Sequence, residues 1–185
     1  MVESMYLPII LGTAREGRQS EKVANFVLEQ VKETALETEM IDVRDYRIAA
    51  TDKTKKIPAA QSWEEKAARA DGFIIVTPEY NHGFSGELKM LLDMLYEEYF
   101  NKPVAFCGVS SGPVGGARGI QLLRLVCISL GMYPILETVY FPMVQNLFDE
   151  NNQIKDEAYK KKVQGLIKGI TEHAQVLKAG REQTK

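Results

Sequence analysis

The chain has little of what marks several large protein classes. It carries only two cysteines, Cys107 and Cys127, and they form no C-x-x-C pair. No disulfide framework and no metal site is expected, and both thiols read as buried groups of a reducing compartment. An excess of basic residues is also missing: Lys and Arg total 23 against 25 Asp and Glu, a net charge of -2. A nucleic-acid binder needs such an excess to neutralise phosphates, so that class is set aside. No apolar run approaches the ~18 residues that suggest a membrane span. Met1-Val2-Glu3-Ser4 offers no basic segment leading into an apolar one, so no signal peptide is expected and the expected compartment is the cytoplasm. Repeats and low-complexity tracts are absent. A length of 185 residues suits one domain spanning 1–185, able to bury roughly 70% of its unfolded surface without staples.

What is present is an alternation of strand-length apolar runs with helical stripes. Leu7 to Leu11 is the first run, begun at about residue 8 because Pro8 fits only near a strand start. Val23, Phe26, Val27 and Val31 then recur at helical spacing. Met40 to Val43 marks a second strand, Trp63 to Ala70 a short helix, and Phe73 to Val76 a third strand, apolar without a break as in a sheet covered on both faces. A helix is predicted from Gly86 to Phe100, a strand over 104–109, a helix over 117–130, a strand over 133–140 and a last amphipathic helix carrying Val163 to Leu177. Thr51 to Lys56 reads as a surface loop and residues 180–185 as a frayed tail. This succession is an α/β pattern: a five-stranded parallel sheet in the flavodoxin-like order 2-1-3-4-5, layered between helices as a three-layer sandwich.

In such sheets ligands bind beyond the carboxyl ends of the strands, where the strand order reverses. The loops after strands one, three and four belong there. The first, Gly12 to Ser20, carries Thr13, Arg15, Arg18 and Ser20 and leads into a helix. Helix N-terminal amides, hydroxyls and guanidinium groups suit a phosphate. A plain strand-to-helix turn with Ser20 as N-cap accounts for the same residues. The loop matches neither G-x-x-x-x-G-K-[ST] nor G-x-G-x-x-G. The second loop, Thr77 to Gly86, places Pro78, Glu79, Tyr80, Asn81 and His82 before two glycines, which suits a flat heteroaromatic ring; a decorated helix cap built on Ser85 is the alternative. The third, Ser110-Ser111-Gly112 through Ala117, lets backbone approach a ligand closely, or is a flexible connection.

The segment P-E-Y-N-H-G-x-x-G-x-L-K at Pro78 to Lys89 resembles the hallmark of the NADPH-dependent FMN reductase family, which includes azobenzene, chromate and quinone reductases. The loop at Gly12 to Ser20, and Ser110 to Gly112 with Gly115 to Arg118, are similar to the family's other two loops. The resemblance runs from about residue 5 to 175. It implies that Thr13, Arg15 and Ser20 bind the FMN phosphate with Arg18 as helper. Pro78, Glu79, Tyr80 and Asn81 would line the isoalloxazine, largely through backbone, with His82 near the ring. Ser110, Ser111 and Gly112 would approach the ring or ribityl chain. Two positions depart from the pattern: Ser85 stands where proline is common and Met90 where asparagine is frequent.

The resemblance further implies a ping-pong cycle from NADPH or NADH, through bound FMN, to a small-molecule acceptor such as a quinone, azo compound, free flavin or metal oxyanion. No side chain need act as nucleophile or general acid; His82 as a proton donor to product is the alternative to a positioning or merely exposed histidine. A flavodoxin-type electron carrier and a flavin-containing redox sensor are the alternatives; carriers of that type are usually more acidic than this chain. His173 on the last helix reads as structural or solvated. Met90 and Met94 form a second apolar line on the helix after Gly86, and the family is usually dimeric or tetrameric, so a homodimer is expected.

Overall fold

The apolar run at Phe73 becomes the central strand of a parallel sheet. In the computed structural model, which describes residues 4–48 and 57–183, the strands are β1 (Ile9–Leu11), β2 (Met40–Asp42), β3 (Phe73–Pro78), β4 (Pro103–Val109) and β5 (Tyr133–Phe141). Their order is β2-β1-β3-β4-β5 with every neighbouring pair parallel, as expected from the sequence. Helices α1 (Ser20–Lys32), α2 (Pro58–Arg69), α3 (Gly86–Asp93), α4 (Ala117–Ser129) and α5 (Ala158–Gln183) make the connections and cover both faces. The period of two along a strand divides the core. Phe73 and Ile75 pack with Trp63 of α2, Leu91 of α3 and Leu123 of α4. Ile74 and Val76 pack with Val27 of α1 and Ile170 of α5. Each such side chain contributes about 1.5–3 kcal/mol of transfer free energy.

Several boundaries differ from those predicted. α2 starts five residues before Trp63, because Pro58 occupies its first turn, where a missing amide costs nothing. The helix predicted from Gly86 to Phe100 stops at Asp93. Tyr96 then takes non-helical backbone angles, and a short 3-10 turn, Glu97–Tyr99, buries Tyr99. There its hydroxyl accepts a hydrogen bond from Trp63 Nε1 at 3.0 Å, a tertiary contact the helical period could not reveal. Met94 also turns inward, to 6% exposure, so the Met90–Met94 line is not an outward face. Residues 180–183 are helical rather than frayed. The loop predicted at Thr51 to Lys56 lies outside the described residues. Pro8 precedes β1, and its carbonyl accepts from the Ile74 amide at 3.1 Å. Cys107 and Cys127 are buried, which pushes both thiols up to about 12 and makes them inert near neutrality. Among the described residues no helix is long and apolar enough to cross a membrane.

Candidate functional site

The strand order reverses between β1 and β3, and the loops after β1, β3 and β4 meet at that edge. Loop one passes close to β3 because it starts with glycine: a Cβ on Gly12 would sit 2.9 Å from Leu88 Cδ2 and 3.2 Å from the Thr77 side chain. Ser85 ties the same point down. Its hydroxyl donates to the Gly12 carbonyl at 2.5 Å and accepts from the Leu88 amide at 3.1 Å, so it caps α3 and anchors loop one together. Further along, the hydroxyls of Thr13 and Tyr80 are 2.9 Å apart. The Arg15 guanidinium lies 4.0 Å over the Tyr80 ring, a cation–π contact.

Within loop one the four candidate phosphate residues divide by environment. Arg15 is exposed, whereas Thr13, Arg18 and Ser20 are buried. Thr13 Oγ1 accepts from the Arg15 amide at 3.3 Å. Arg18 runs beneath the loop: Nη1 donates to the Thr13 carbonyl at 2.6 Å and to Asp42 Oδ1 at 2.7 Å, Nη2 to Asp42 Oδ2, and Nε to Glu21 at 3.2 Å. Four of its five N–H donors are committed to the protein, and Glu21 is an ion-pair partner. Burial pushes the Asp42 carboxyl up, but hydrogen bonds from Arg18 and the Arg44 amide outweigh this and hold it below the usual carboxylate range. Asp42 and Arg44 were not singled out from sequence. The available signal was an acidic residue ending β2, at the same sheet edge as loop one.

The start of α1 differs from the simple turn. Gln19, not Ser20, is the N-cap residue, and it makes no side-chain cap hydrogen bond. Ser20 is the first helical residue, and its buried hydroxyl has no hydrogen-bond partner. An unpaired buried hydroxyl at an uncapped helix N-terminus costs stability, and an anion at that point would remove the cost.

Loop two is built differently from what its composition suggests. Pro78 is the last residue of β3. The Glu79 amide bonds the Val109 carbonyl at 3.1 Å, and its carboxylate turns to α4. There it accepts from the Arg118 amide at 3.0 Å, the Gly119 amide at 3.2 Å and Arg118 Nη1 at 3.4 Å. Tyr80 and Gly83 exchange backbone hydrogen bonds of 2.8 and 2.9 Å. Between them Asn81 and His82 have φ of 50° and 66°, the left-handed pair of a type I′ turn. His82 is exposed at the tip. A Cβ on Gly119 would meet the Gly83 carbonyl at 2.9 Å, so the hairpin rests on α4 through a glycine.

Loop three is held from the segment following β5. The Ser110 amide donates to the Phe141 carbonyl at 3.2 Å, and the Val144 amide to the Ser110 carbonyl at 3.1 Å. The Met143 amide donates to the Gly112 carbonyl at 3.0 Å, and Ser110 Oγ donates to that carbonyl at 2.9 Å. Ser111 is exposed. Gly116 is left-handed at φ 85°, and a Cβ there would lie 2.8 Å from the Val109 amide nitrogen, so only glycine starts α4 this close to β4. His173 is remote from these loops, on α5, with Nδ1 2.8 Å from the Gly169 carbonyl.

Residues 5–146 match the family model described as NADPH-dependent FMN reductase. The chain belongs to this family. It is 31% identical over 157 residues to an NAD(P)H-dependent FMN reductase of Schizosaccharomyces pombe, covering 76% of this chain and 77% of that one. It is 26% identical over 171 residues to a 2-hydroxy-1,4-benzoquinone reductase of a Burkholderia species, covering 89% and 93%. Among solved structures, the flavoenzyme NAD(P)H:(acceptor) oxidoreductase FerB of Paracoccus denitrificans superposes with a TM-score of 0.79 at 19% identity, over 91% of this chain and 98% of that one. At that identity the superposition speaks for the fold. Membership makes the chain an oxidoreductase of a family that uses FMN as cofactor and NAD(P)H as co-substrate.

The residues present fit FMN. The uncapped start of α1 and the partnerless Ser20 hydroxyl suit a phosphate, and Arg15 is an exposed cation of the same loop. The Tyr80 hairpin and the glycine-bearing third loop are backbone-rich segments at the same sheet edge, a composition that suits a flat ring.

Proposed function

We propose that this chain, as one FMN-binding domain, is an NAD(P)H oxidoreductase that passes electrons by a ping-pong cycle to a small acceptor, a quinone or azo compound being the leading class. Bound FMN would supply the redox chemistry, taking a hydride from NAD(P)H and delivering two electrons to the acceptor. The protein's part is to bind, orient and exclude water. Loop one holds the phosphate through the α1 N-terminus, Ser20 and Arg15. Thr13 and Arg18 act from below by shaping the loop, since their polar groups serve Tyr80, the loop backbone and Asp42. Pro78 to His82 form the wall beside the ring, with Glu79 working through α4. Ser110, Ser111 and Gly112 close the opposite wall. No side chain need serve as nucleophile or general acid.

The observation that carries this reading is the partnerless Ser20 hydroxyl, buried at an uncapped helix start beside the loop that Thr13 and Tyr80 join to the hairpin. Anaerobic addition of NADPH, and separately of NADH, to the purified, FMN-loaded protein tests it. Rapid bleaching of the yellow colour is expected. A yellow protein that does not bleach with either nicotinamide would instead be an electron carrier, and a protein that cannot be loaded with FMN would overturn both readings.

We further propose a cytoplasmic homodimer assembled through α4 rather than through Met90 and Met94. Leu122, Leu125 and Ile128 stand one turn apart at 48%, 64% and 58% exposure, on a face without acidic residues. A single apolar stripe of this kind suits a two-fold contact with a second copy of the same chain.

A further inference from the structure

Three consecutive carbonyls of loop one are held by two arginines, Arg18 of the loop itself and Arg44 from the turn after β2. The Thr13 carbonyl accepts from Arg18 Nη1 at 2.6 Å, the Ala14 carbonyl from Arg44 Nε at 3.2 Å, and the Arg15 carbonyl from Arg44 Nη2 at 2.6 Å. Asp42 links the two arginines. It binds the Arg18 guanidinium with both oxygens and accepts from the Arg44 amide at 3.0 Å. Arg44 itself sits in a 3-10 turn, Val43–Tyr46, that Asp42 caps directly after β2.

In a trans peptide the C=O and the following N–H point in opposite directions. Holding the carbonyls of residues 13, 14 and 15 therefore fixes the amides of residues 14, 15 and 16 toward the far side. The Arg15 amide is taken by Thr13 Oγ1. The amides of Ala14 and Glu16 are left facing away from the guanidinium groups that hold the carbonyls. A guanidinium can do this because its planar fork spans two acceptors, whereas an ammonium is a single point donor.

We propose that Arg44 is a positioning residue for the phosphate of FMN. It does not touch the phosphate. It presets loop one, with Arg18 and Asp42, so that amide donors and the Ser20 hydroxyl converge on one anion without reorganisation on binding. This inference rests on the flavin reading above, and its effect is confined to the phosphate: riboflavin, which lacks one, is indifferent to it.

The test measures dissociation constants for FMN and for riboflavin by titration of flavin fluorescence with the full-length chain, in wild type, Arg44→Gln and Arg44→Lys, alongside urea unfolding of each. Wild type is expected to prefer FMN. Arg44→Gln is expected to weaken FMN about tenfold and leave riboflavin within twofold, so the preference collapses. Arg44→Lys keeps the charge but not the fork and is expected to recover less than half of the loss on a logarithmic scale. Equal weakening of both flavins would mean a general structural role and would overturn the inference, as would an unchanged FMN affinity in Arg44→Gln or full recovery in Arg44→Lys, which would make the effect one of charge alone. A wild type that binds neither flavin would overturn the flavin reading itself and this inference with it.

Discussion

The hydroxyls of Thr13 and Tyr80 lie 2.9 Å apart across the gap between the first and third strand loops. This one bond joins the residue that opens the proposed phosphate loop to the aromatic wall of the proposed ring site. Tyr80→Phe should cost about 1 kcal/mol of unfolding free energy, as loss of a partly buried hydrogen bond does, and Thr13→Val more, because it also removes the acceptor of the Arg15 amide. Because both remove the same bond, the double variant should cost less than the sum, with a coupling of about 0.5–1 kcal/mol in urea melts.

Glu79 makes a separate prediction. Its carboxylate is the acceptor for the Arg118 and Gly119 amides in the first turn of α4, reached from another strand's loop. Glu79→Ala should destabilise by about 1–2 kcal/mol, the usual cost of a lost helix cap. Glu79→Gln, which keeps an acceptor but no charge, should cost about half as much.

The turn at the hairpin tip is under backbone strain. His82 holds a φ of 66° that non-glycine side chains rarely adopt, in the second central position of a type I′ turn. His82→Gly should leave stability unchanged or raise it by up to about 0.5 kcal/mol. His82→Val should lower it by about 1–2 kcal/mol, because a β-branched side chain fits that region worst. Thermal unfolding of the two variants separates them in sign.

Acid stability should follow two carboxylates at opposite ends of β2, Glu39 before it and Asp42 at the loop-one end. Burial pushes the Asp42 carboxyl up, and the Arg18 and Arg44 hydrogen bonds and charges outweigh it. Burial likewise pushes Glu39 up, and its hydrogen bonds with Lys66 and Tyr6 outweigh that. Both folded pKa values are thus depressed. Such groups stabilise the fold above their unfolded pKa, about 4, and the contribution disappears as pH falls through the folded values. Unfolding free energy should be level down to about pH 5 and decline below about 4. Asp42→Asn should cost about 2–3 kcal/mol at neutral pH, because the buried Arg18 loses the carboxylate that binds its fork and keeps only Glu21, and should flatten part of the acid decline.

Much of this architecture is legible in the chain itself. The unbroken run Phe73 to Val76 and the stripe Val23 to Val31 encode strand and helix through periods that tertiary contacts do not disturb. The positions of the three loops follow from the strand order. Contacts between elements distant in sequence were not legible. Nothing local says that Tyr99 must leave its helix to reach Trp63, or that Met94 turns inward. The composition of loop one names Thr13, Arg18 and Ser20 as polar, but not that two of them are committed inward while the third lacks a partner. Asp42 and Arg44 join that loop only because β2 lies beside β1.

The most direct test of the account is Ser20→Ala. If the partnerless hydroxyl awaits a phosphate, its removal carries opposite signs in two measurements. Calorimetric FMN affinity should fall about tenfold or more, the worth of a hydrogen bond to a charged group, while riboflavin affinity stays the same. The unfolding free energy of the flavin-free variant should not fall, since no bond is lost. Unchanged FMN affinity, or a loss of stability without flavin, would contradict the central claim that the start of α1 is the phosphate seat.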